Sequence, residues 1–368
     1  MFIEQVSAGM ILFFVLYGIT GVVPAIAAAY LLLRRGNAIA PGVTPPLRLR
    51  RWTAAFFAIA VLAHVWWLLF YIYSGDLYSI AYLVLVMFDS VVLFTTFAGM
   101  LLAMLQDRRR PVWPALAGMI PFVVLGGVYM VYPSYLIVQI ESIYLLLLSL
   151  LFTGYMVVAI RQYERWLNDN YADLENKKVW LSQAVTLVCM LLFILYALAT
   201  DMVLIWIMHV VALVLTILLL WRVETLPTLQ NQTYPPHSEE EQDDEPDRLS
   251  AYIDLAQIRQ QLTKHCEDTQ LYLQHDLNLQ QLAQAIGTNR YYLSQYFSRQ
   301  GITYNTYINN LRINHFISRY QEVVAAGQPV VAQQLARESG YSSYSTFSLA
   351  FKQRTGMSVT AWMRKTAE

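Results

Sequence analysis

The sequence predicts an all-α protein, in which a seven-helix transmembrane bundle precedes a smaller cytoplasmic domain that is helical throughout. Three observations predict this fold class. Of the 368 residues, 57% are hydrophobic and only 14% are charged, whereas about a quarter of the residues of a soluble domain are charged. Apolar stretches long enough to cross a bilayer recur up to residue 221. After residue 248, apolar residues recur at the spacing of short amphipathic helices.

Seven apolar stretches qualify as membrane spans, since about 20 residues, rising about 1.5 Å each, cross a hydrocarbon layer of about 30 Å. They are residues 8–33, 52–73, 79–105, 114–132, 136–160, 181–200 and 202–221. The first is too long for the apolar core of a cleaved signal peptide, and its basic residues follow it, so we expect it to remain as a helix. Only Asp201 separates the last two stretches. One helix through both would be about twice too long for the bilayer, which predicts a tight hairpin at Asp201.

The basic residues lie on one side of the predicted bundle. They follow spans one, three, five and seven, whereas segments 1–7, 74–78 and 133–135 and position 201 contain no Lys or Arg. Because basic flanks are retained in the cytoplasm during insertion, the N-terminus is expected outside and the C-terminus inside. Residues 1–223 are assigned to this membrane domain.

Four ionisable side chains fall inside the spans and are the candidates for signal sensing, namely His64, Asp89, Glu141 and His209. Such groups are costly in hydrocarbon and face the bundle interior or water. For the carboxyl groups, the simpler interpretation is a hydrogen bond that specifies helix packing, and the alternative is signal sensing or ligand binding. The two histidines could bind a haem iron, but a structural role is simpler and no cofactor is expected. A retinal Schiff base is excluded, because the first lysine, Lys177, lies outside the spans.

A weak internal repeat marks residues 248–368. Three residues of the first copy, Leu282, Ala283 and Gly287, correspond in the second copy to Leu335, Ala336 and Gly340. Each copy combines a helix with one apolar face, a glycine turn, a capping Asn or Ser, and a second helix that ends in basic residues. This succession is typical of a helix-turn-helix unit. The copies are predicted at residues 279–299 and 331–354, joined by a helix of residues 304–324.

The second helix of each copy presents donors, acceptors and flat rings outward, as base edges and phosphates require. The outward positions are Arg290, Tyr291, Ser294, Gln295, Tyr344, Ser345 and Ser348, and the inward positions are Tyr292, Leu293, Tyr296, Phe297, Phe347 and Phe351. The connecting helix is about 31 Å long, close to the DNA repeat of about 34 Å, so both second helices could enter successive major grooves. Residues 248–368 contain 12 basic and 7 acidic residues, and this positive net charge suits phosphate contacts.

These segments resemble a known family. The stretches LAQAIGTNRYYLSQYF, INNLRINHFISRY and VAQQLARESGYSSYSTFSLAFKQRTGMSVTAWMR, within residues 276–365, are similar to the AraC/XylS-type DNA-binding domain. The resemblance implies base contacts for the seven outward residues and phosphate contacts for Lys352 and Arg354. The family often has arginine at the positions of Gln295 and Leu349. The resemblance does not extend to residues 1–223, which are unlike the sugar-binding cupin domain of the soluble members.

Between the two domains, residues 224–247 lose the apolar period and gain prolines. Residues 238–247 contain seven acidic residues and no basic one. Such a segment cannot bury enough apolar surface to fold, so an extended tether is predicted. A solvated spacer is the simpler interpretation. Competition of the acidic run with DNA for the basic face of residues 248–368 is the alternative.

Catalytic motifs are absent from the sequence, which has no Walker-type glycine loop, HExxH pair or supported Ser/His/Asp grouping. Cys189 and Cys266 suggest neither a disulfide framework nor a metal site, and His265 beside Cys266 is expected to be an ordinary surface pair. Enzyme activity is therefore not expected.

Together with the resemblance, these patterns lead us to expect a one-component transcriptional regulator, multi-pass in a bacterial inner (cytoplasmic) membrane. Its expected partners are double-stranded promoter DNA and the lipid bilayer. RNA polymerase, a small ligand, another membrane protein and a second copy of the chain, as a homodimer, stay open as further partners. The alternative is a membrane receptor or transporter whose C-terminal domain is a protein-interaction module.

Overall fold

The computed structural model describes residues 8–34, 36–73, 80–174, 177–198, 202–229 and 255–367. Within these ranges the chain is helical and contains no β-strand. The predicted all-α fold class is therefore confirmed. The chain forms two compact units, of which the first comprises Met1–Tyr163 and Val179–Asn231 and the second Glu164–Lys178 and Gln232–Glu368. The second unit thus includes a short segment from the region between two apolar helices.

All seven predicted spans contain helix. The apolar helices are α1 (Ala8–Leu33), α2 (Leu47–Tyr73), α3 (Ile80–Met104), α4 (Trp113–Gly118), α5 (Ile120–Val131), α6 (Tyr135–Asn170), α7 (Trp180–Leu198) and α8 (Met202–Thr225). Six segments are long and apolar enough to cross a membrane, with α4 and α5 forming one of them. The apolar segment Trp180–Leu192 of α7 is shorter. The predicted hairpin at Asp201 lies outside the described residues.

Two spans differ from their predicted form. The fourth is interrupted at Met119, because Pro121 near the start of α5 cannot donate a backbone hydrogen bond to the preceding turn. The fifth was predicted to end at residue 160, but α6 continues to Asn170 and has 36 residues. Its length is about 54 Å. The added turns combine polar residues, which are compatible with a helix outside hydrocarbon, with the buried residues Tyr163 and Leu167.

Close packing in the first unit depends on a small residue. Helix α2 packs against both α1 and α3. A Cβ atom added at Gly99 of α3 would collide with the ring of Trp52 in α2. Small residues allow neighbouring helices to approach closely in membrane bundles, so Gly99 sets the spacing between these two helices.

The first residues of the predicted tether are held in the first unit. Glu224 is 1% exposed, and its carboxylate accepts a hydrogen bond of 2.8 Å from the Tyr30 hydroxyl. Gln106 donates to the Pro227 carbonyl at 3.0 Å and accepts from the Leu229 amide at 2.9 Å. Residues 224–229 are therefore packed in the first unit and are not part of an extended tether. The acidic run lies outside the described residues.

The second unit contains helices α9 (Leu255–Leu262), α10 (Leu279–Ala285), α11 (Arg290–Arg299), α12 (Tyr304–Ala325), α13 (Ala332–Glu338), α14 (Tyr344–Thr355) and α15 (Val359–Ala367). Its apolar residues form two cores, one around Leu282, Leu293 and Phe297, the other around Leu335, Phe347 and Phe351. Helix α12 contributes to both cores. The predicted pair of two-helix units thus corresponds to two separately packed halves on one connecting helix.

Cys266 is buried, contrary to its expected place in a surface pair. It is 0% exposed and belongs to the first core. A one-turn π-helix, Thr263–Glu267, turns the thiol inward. Burial raises the pKa of the Cys266 thiol to about 12, so it stays protonated and behaves as a small apolar side chain.

Candidate nucleic-acid interface

The first helix-turn-helix unit is built from α10 and α11. Gly287 in the turn has φ +72°, a conformation that side chains with a Cβ rarely adopt. Asn289 then caps α11, because its side chain accepts a hydrogen bond of 2.9 Å from the Tyr292 amide. Leu293 and Phe297 are buried against α10, which leaves the opposite face of α11 outward.

The second unit repeats this construction with α13 and α14. Gly340 has φ +87°, and the Ser343 hydroxyl caps α14 by accepting from the Thr346 amide at 3.2 Å. Phe347 and Phe351 are both 0% exposed. The predicted glycine turns and the Asn289 cap of the first copy are therefore confirmed. In the second copy the cap is Ser343, which was predicted as the first residue of the helix.

A buried arginine joins the two helix-turn-helix units. Arg312 of α12 is 1% exposed and donates to the Tyr272 carbonyl at 2.7 Å and the Gln274 carbonyl at 2.8 Å. Its guanidinium also lies 5.5 Å from the ring centre of Tyr341. Burial lowers the pKa of this guanidinium, while Tyr341 opposes the effect. The sequence analysis missed Arg312, although it shares a helix face with Ile308 and Phe316, four residues away on either side.

The outward residues predicted on α11 lie at its surface to different degrees. Tyr291 is 64% exposed, and its hydroxyl accepts a hydrogen bond of 2.5 Å from the Gln295 amide group. Arg290 and Ser294 are partly buried. Burial lowers the pKa of Arg290, and the nearby Tyr171 acts in the opposite direction. Arg290 and Ser294 lie on the N-terminal half of α11, which in helix-turn-helix proteins is nearest to the bases.

The outward residues predicted on α14 form the matching surface. Tyr344 is 37% exposed, Ser345 and Lys352 are exposed, and Ser348 is partly buried. Leu349, where the family often has arginine, is 54% exposed. These side chains combine a ring, hydroxyl groups and one amine on a single helix.

Arg354 differs from the other predicted phosphate contact. It donates to the carbonyl of Asn310 and, at 2.6 Å, to the side-chain oxygen of Asn314. Both partners belong to α12. Its guanidinium thus braces α14 against the connecting helix in addition to lying at the surface.

Tyr292 was predicted to point inward and is instead 38% exposed. The buried positions of α11 are Leu293, Tyr296 and Phe297, spaced three and four residues apart. Each helical residue turns by about 100°. Tyr292 therefore lies at the edge of the buried face.

In the compact unit of apolar helices, the structure brings together the two histidines of the predicted spans. The rings of His64 and His209 are perpendicular, with centres 6.4 Å apart, and both lie near Tyr17. The His64 ring also contacts the Ala60 carbonyl at 2.8 Å and the Thr20 hydroxyl at 3.3 Å. These contacts fit the structural role preferred from sequence. Over the described ranges, no group of three or more metal-binding side chains is present.

The two intramembrane carboxyl groups lie on different helices. Asp89, on α3, has one carboxylate oxygen, Oδ1, that is buried and has no hydrogen-bond partner within the described part of the chain. Glu141, on α6, is partly buried. A buried acceptor without a donor is costly, so the surroundings of Asp89 are not optimised for stability.

Comparison with known proteins assigns the C-terminal part. A family model described as "Helix-turn-helix domain" matches residues 282–365, a range that contains α11 to α14 complete. Neither a curated protein nor a solved structure matches the chain significantly. The matched range agrees with the resemblance found over residues 276–365. Residues 282–365 are thus an AraC-type helix-turn-helix domain, a DNA-binding regulatory domain carried by a chain whose N-terminal region consists of long apolar helices.

Proposed function

We propose that the chain is a membrane-embedded, one-component transcriptional regulator, in which a signal received by the apolar helices controls promoter binding by the helix-turn-helix domain. The observation that carries this proposal is the presence of membrane-length helices and a DNA-binding domain in one chain. DNA must be reachable from the membrane that holds the protein. The location is therefore the cytoplasmic membrane of a bacterium, with the C-terminus inside.

The proposed DNA contacts are those of α11 and α14. Helix α12 has 22 residues, a length of about 33 Å, which suits two reading helices in successive major grooves spaced about 34 Å apart. The contacts to bases are assigned to Arg290, Tyr291, Ser294, Gln295, Tyr344, Ser345 and Ser348, and those to phosphates to Lys352 and Arg354. At the same promoters the regulator would contact RNA polymerase.

Genome-wide mapping of bound DNA, with the full chain in its native membrane, tests this function. The expected result is enrichment of discrete promoter sites that is lost in a Tyr344→Ala variant present at equal abundance. Absence of enriched DNA, together with stable capture of a membrane protein through residues 255–367, would instead favour a receptor or transporter with a protein-interaction module.

The signal is proposed to act on the bundle near Asp89. Its unpartnered Oδ1 atom supports this choice, because a buried carboxyl group that gains a partner or proton changes the preferred helix packing. Asp89→Asn keeps the shape and removes the charge. We expect it to change basal promoter output in a reporter strain while DNA binding is retained, and Glu141→Gln to act in the same direction.

The neighbouring Ser90→Ala is the matched control for this substitution. The Ser90 hydroxyl donates only within its own helix, to the Val86 carbonyl at 2.8 Å. Its output should equal that of the parent. Equal output from the parent and both carboxyl variants, at equal abundance, would remove Asp89 and Glu141 from the sensing role.

A further inference from the structure

A segment from the membrane half of the sequence is docked on the DNA-binding domain. Residues 164–174 and 177–178, the end of α6 and part of the turn after it, pack within the second unit. Ala172 is 1% exposed and belongs to the first core. Tyr171 forms an antiparallel bridge with Asn278. We call this stretch the docking segment.

The connecting helix α12 holds the backbone of the docking segment. The Asn305 amide group donates to the Tyr171 carbonyl at 3.0 Å and to the Ala172 carbonyl at 2.7 Å. Asn309, on the next turn, reaches the Ala172 carbonyl at 3.4 Å. Lys177 adds an ion pair with Asp276 at 3.7 Å. The docked geometry is therefore specified by side chains of the DNA-binding domain.

Asp173 brings a carboxylate to the start of the second reading helix. Asp173 is 7% exposed. One oxygen accepts a hydrogen bond from the Ser342 hydroxyl, and the other lies 3.4 Å from the Thr346 hydroxyl. These residues flank Ser343, the N-cap of α14. Hydroxyl groups at the N-terminus of a reading helix are typical donors to DNA phosphates, so the carboxylate occupies a place suited to a phosphate.

The docking segment also reaches the first reading helix. Tyr171 lies close enough to Arg290, the first proposed base contact on α11, for each group to influence the pKa of the other. Asp169 lines the same cleft as Ser294 and Ser298 of that helix. The docking segment thus places the Tyr171 ring and the Asp169 carboxyl group beside proposed DNA contacts on α11. It places the Asp173 carboxylate at the start of α14.

We propose that the docking segment is a built-in competitor of DNA, which must leave the helix-turn-helix domain before promoter DNA can occupy both reading helices. This inference rests on the proposed function and adds the regulation of its site. Helix α6 runs without interruption from its apolar part to Asn170. A movement of that helix in the membrane is therefore carried to the docking segment along a single element, and the fraction of undocked domain sets the apparent affinity for DNA.

The first experiment measures the affinity of the full chain, in lipid nanodiscs, for a labelled duplex from a mapped promoter. Asp173→Asn removes the negative charge and keeps the shape. We expect its dissociation constant to be about tenfold lower than that of the parent. Glu164→Gln, the same chemical change at the start of the segment, is the matched control and should bind like the parent. An unchanged or weaker affinity for Asp173→Asn would overturn the proposal.

The second experiment locks the segment in place. Asp173→Cys and Ser342→Cys put two thiols where the parent side chains touch. Oxidation to the disulfide, verified by mass spectrometry, should weaken promoter binding at least tenfold, and reduction should restore it. In the single cysteine variants the oxidant should not alter the affinity, and Asp173→Cys should bind more tightly than the parent, as Asp173→Asn does. Equal binding by the locked and reduced forms would show that docking and DNA are compatible, which overturns the proposal.

The two experiments also separate this inference from the proposed function. Binding by the reduced chain shows that the domain recognises the promoter whatever the segment does. If the parent, Asp173→Asn and the reduced double variant all fail to bind mapped promoter DNA, the proposed function itself is wrong and the competitor model falls with it.

Discussion

At the scale of single residues, Arg312 fixes the geometry between the two helix-turn-helix units. Its hydrogen bonds reach the loop before α10, and its guanidinium lies near the ring of Tyr341 at the start of the second unit. A charged side chain that is this deeply buried must have partners to offset the loss of water. The Arg312 guanidinium therefore adds a polar link between the two helix-turn-helix units to the apolar packing of α12 in both cores.

Arg312→Leu should lower the free energy of unfolding of the domain by about 3 kcal/mol, because two carbonyl groups lose their donor in a buried site. Arg319→Leu, on the same helix but at the surface, should leave stability unchanged. Pulse proteolysis of the full chain in urea, followed through a C-terminal tag, measures both. Equal stability of the two variants would contradict this role of Arg312.

Arg290 and Tyr344 carry the prediction for DNA recognition. Replacing either with Ala should weaken specific promoter binding by about 1–3 kcal/mol if it makes a good base contact. Fluorescence anisotropy with the mapped promoter duplex and a scrambled duplex measures the loss of specificity. Gln353→Ala, at an exposed position of α14 outside the proposed set, is the control. Parent-like affinity in both variants, with the fold intact, would show that the assigned contact face is wrong.

At the scale of elements, the turn glycines of the two units are in different surroundings. Both have positive φ. A Cβ added at Gly287 meets no atom within 4 Å, whereas at Gly340 it would lie 2.8 Å from the Leu273 carbonyl oxygen. The second turn is therefore constrained by backbone conformation and by contact, and the first by conformation alone.

Gly287→Ala should lower the free energy of unfolding by about 1 kcal/mol, the cost of a left-handed alanine, and Gly340→Ala by about 2–3 kcal/mol because backbone atoms must also move. Hydrogen exchange of peptides from α12 to α14, measured in the full chain, resolves the difference. Similar costs at the two positions would mean that the contact with Leu273 is relieved without strain.

Elements with a strong local signal were predictable, and those decided by packing were not. The apolar stretches, the turn glycines and the Asn289 cap follow from composition and spacing. The extension of α6 to Asn170 did not, because its buried residues Tyr163 and Leu167 are separated by polar ones and do not continue the apolar span. The docking of Asp173 joins parts of the chain that are far apart in sequence, and no local pattern reports such a contact.

At the scale of the whole molecule, the prediction that matters most is topology. The one-sided distribution of Lys and Arg predicts the N-terminus outside and the C-terminus in the cytoplasm. Alkaline phosphatase fusions after Gly75 and Ser134 should be active, and fluorescent protein fusions after Arg110 and Arg222 should be bright. A C-terminus found outside would contradict promoter binding altogether.

The candidate site was predictable to the level of its two reading helices. Residue types and spacing identified the helix-turn-helix repeat, and the family match at residues 282–365 agrees with it. The sequence did not reveal that Arg290 and Ser294 lie beside residues 169–173, since burial of an outward helix face depends on a distant segment. The assignment of individual DNA contacts stays a prediction.

The docking segment and the surface it covers belong to one polypeptide. Their encounter is therefore set by an effective concentration, on the order of millimolar for groups joined by short flexible linkers, and not by the number of molecules in the cell. Dilution, growth or gene dosage would change how many copies reach promoters. The fraction of copies in which the docking segment is docked would stay constant. The strength of the signal needed to release the DNA-binding domain would therefore be the same in a cell with few copies of the regulator as in a cell with many.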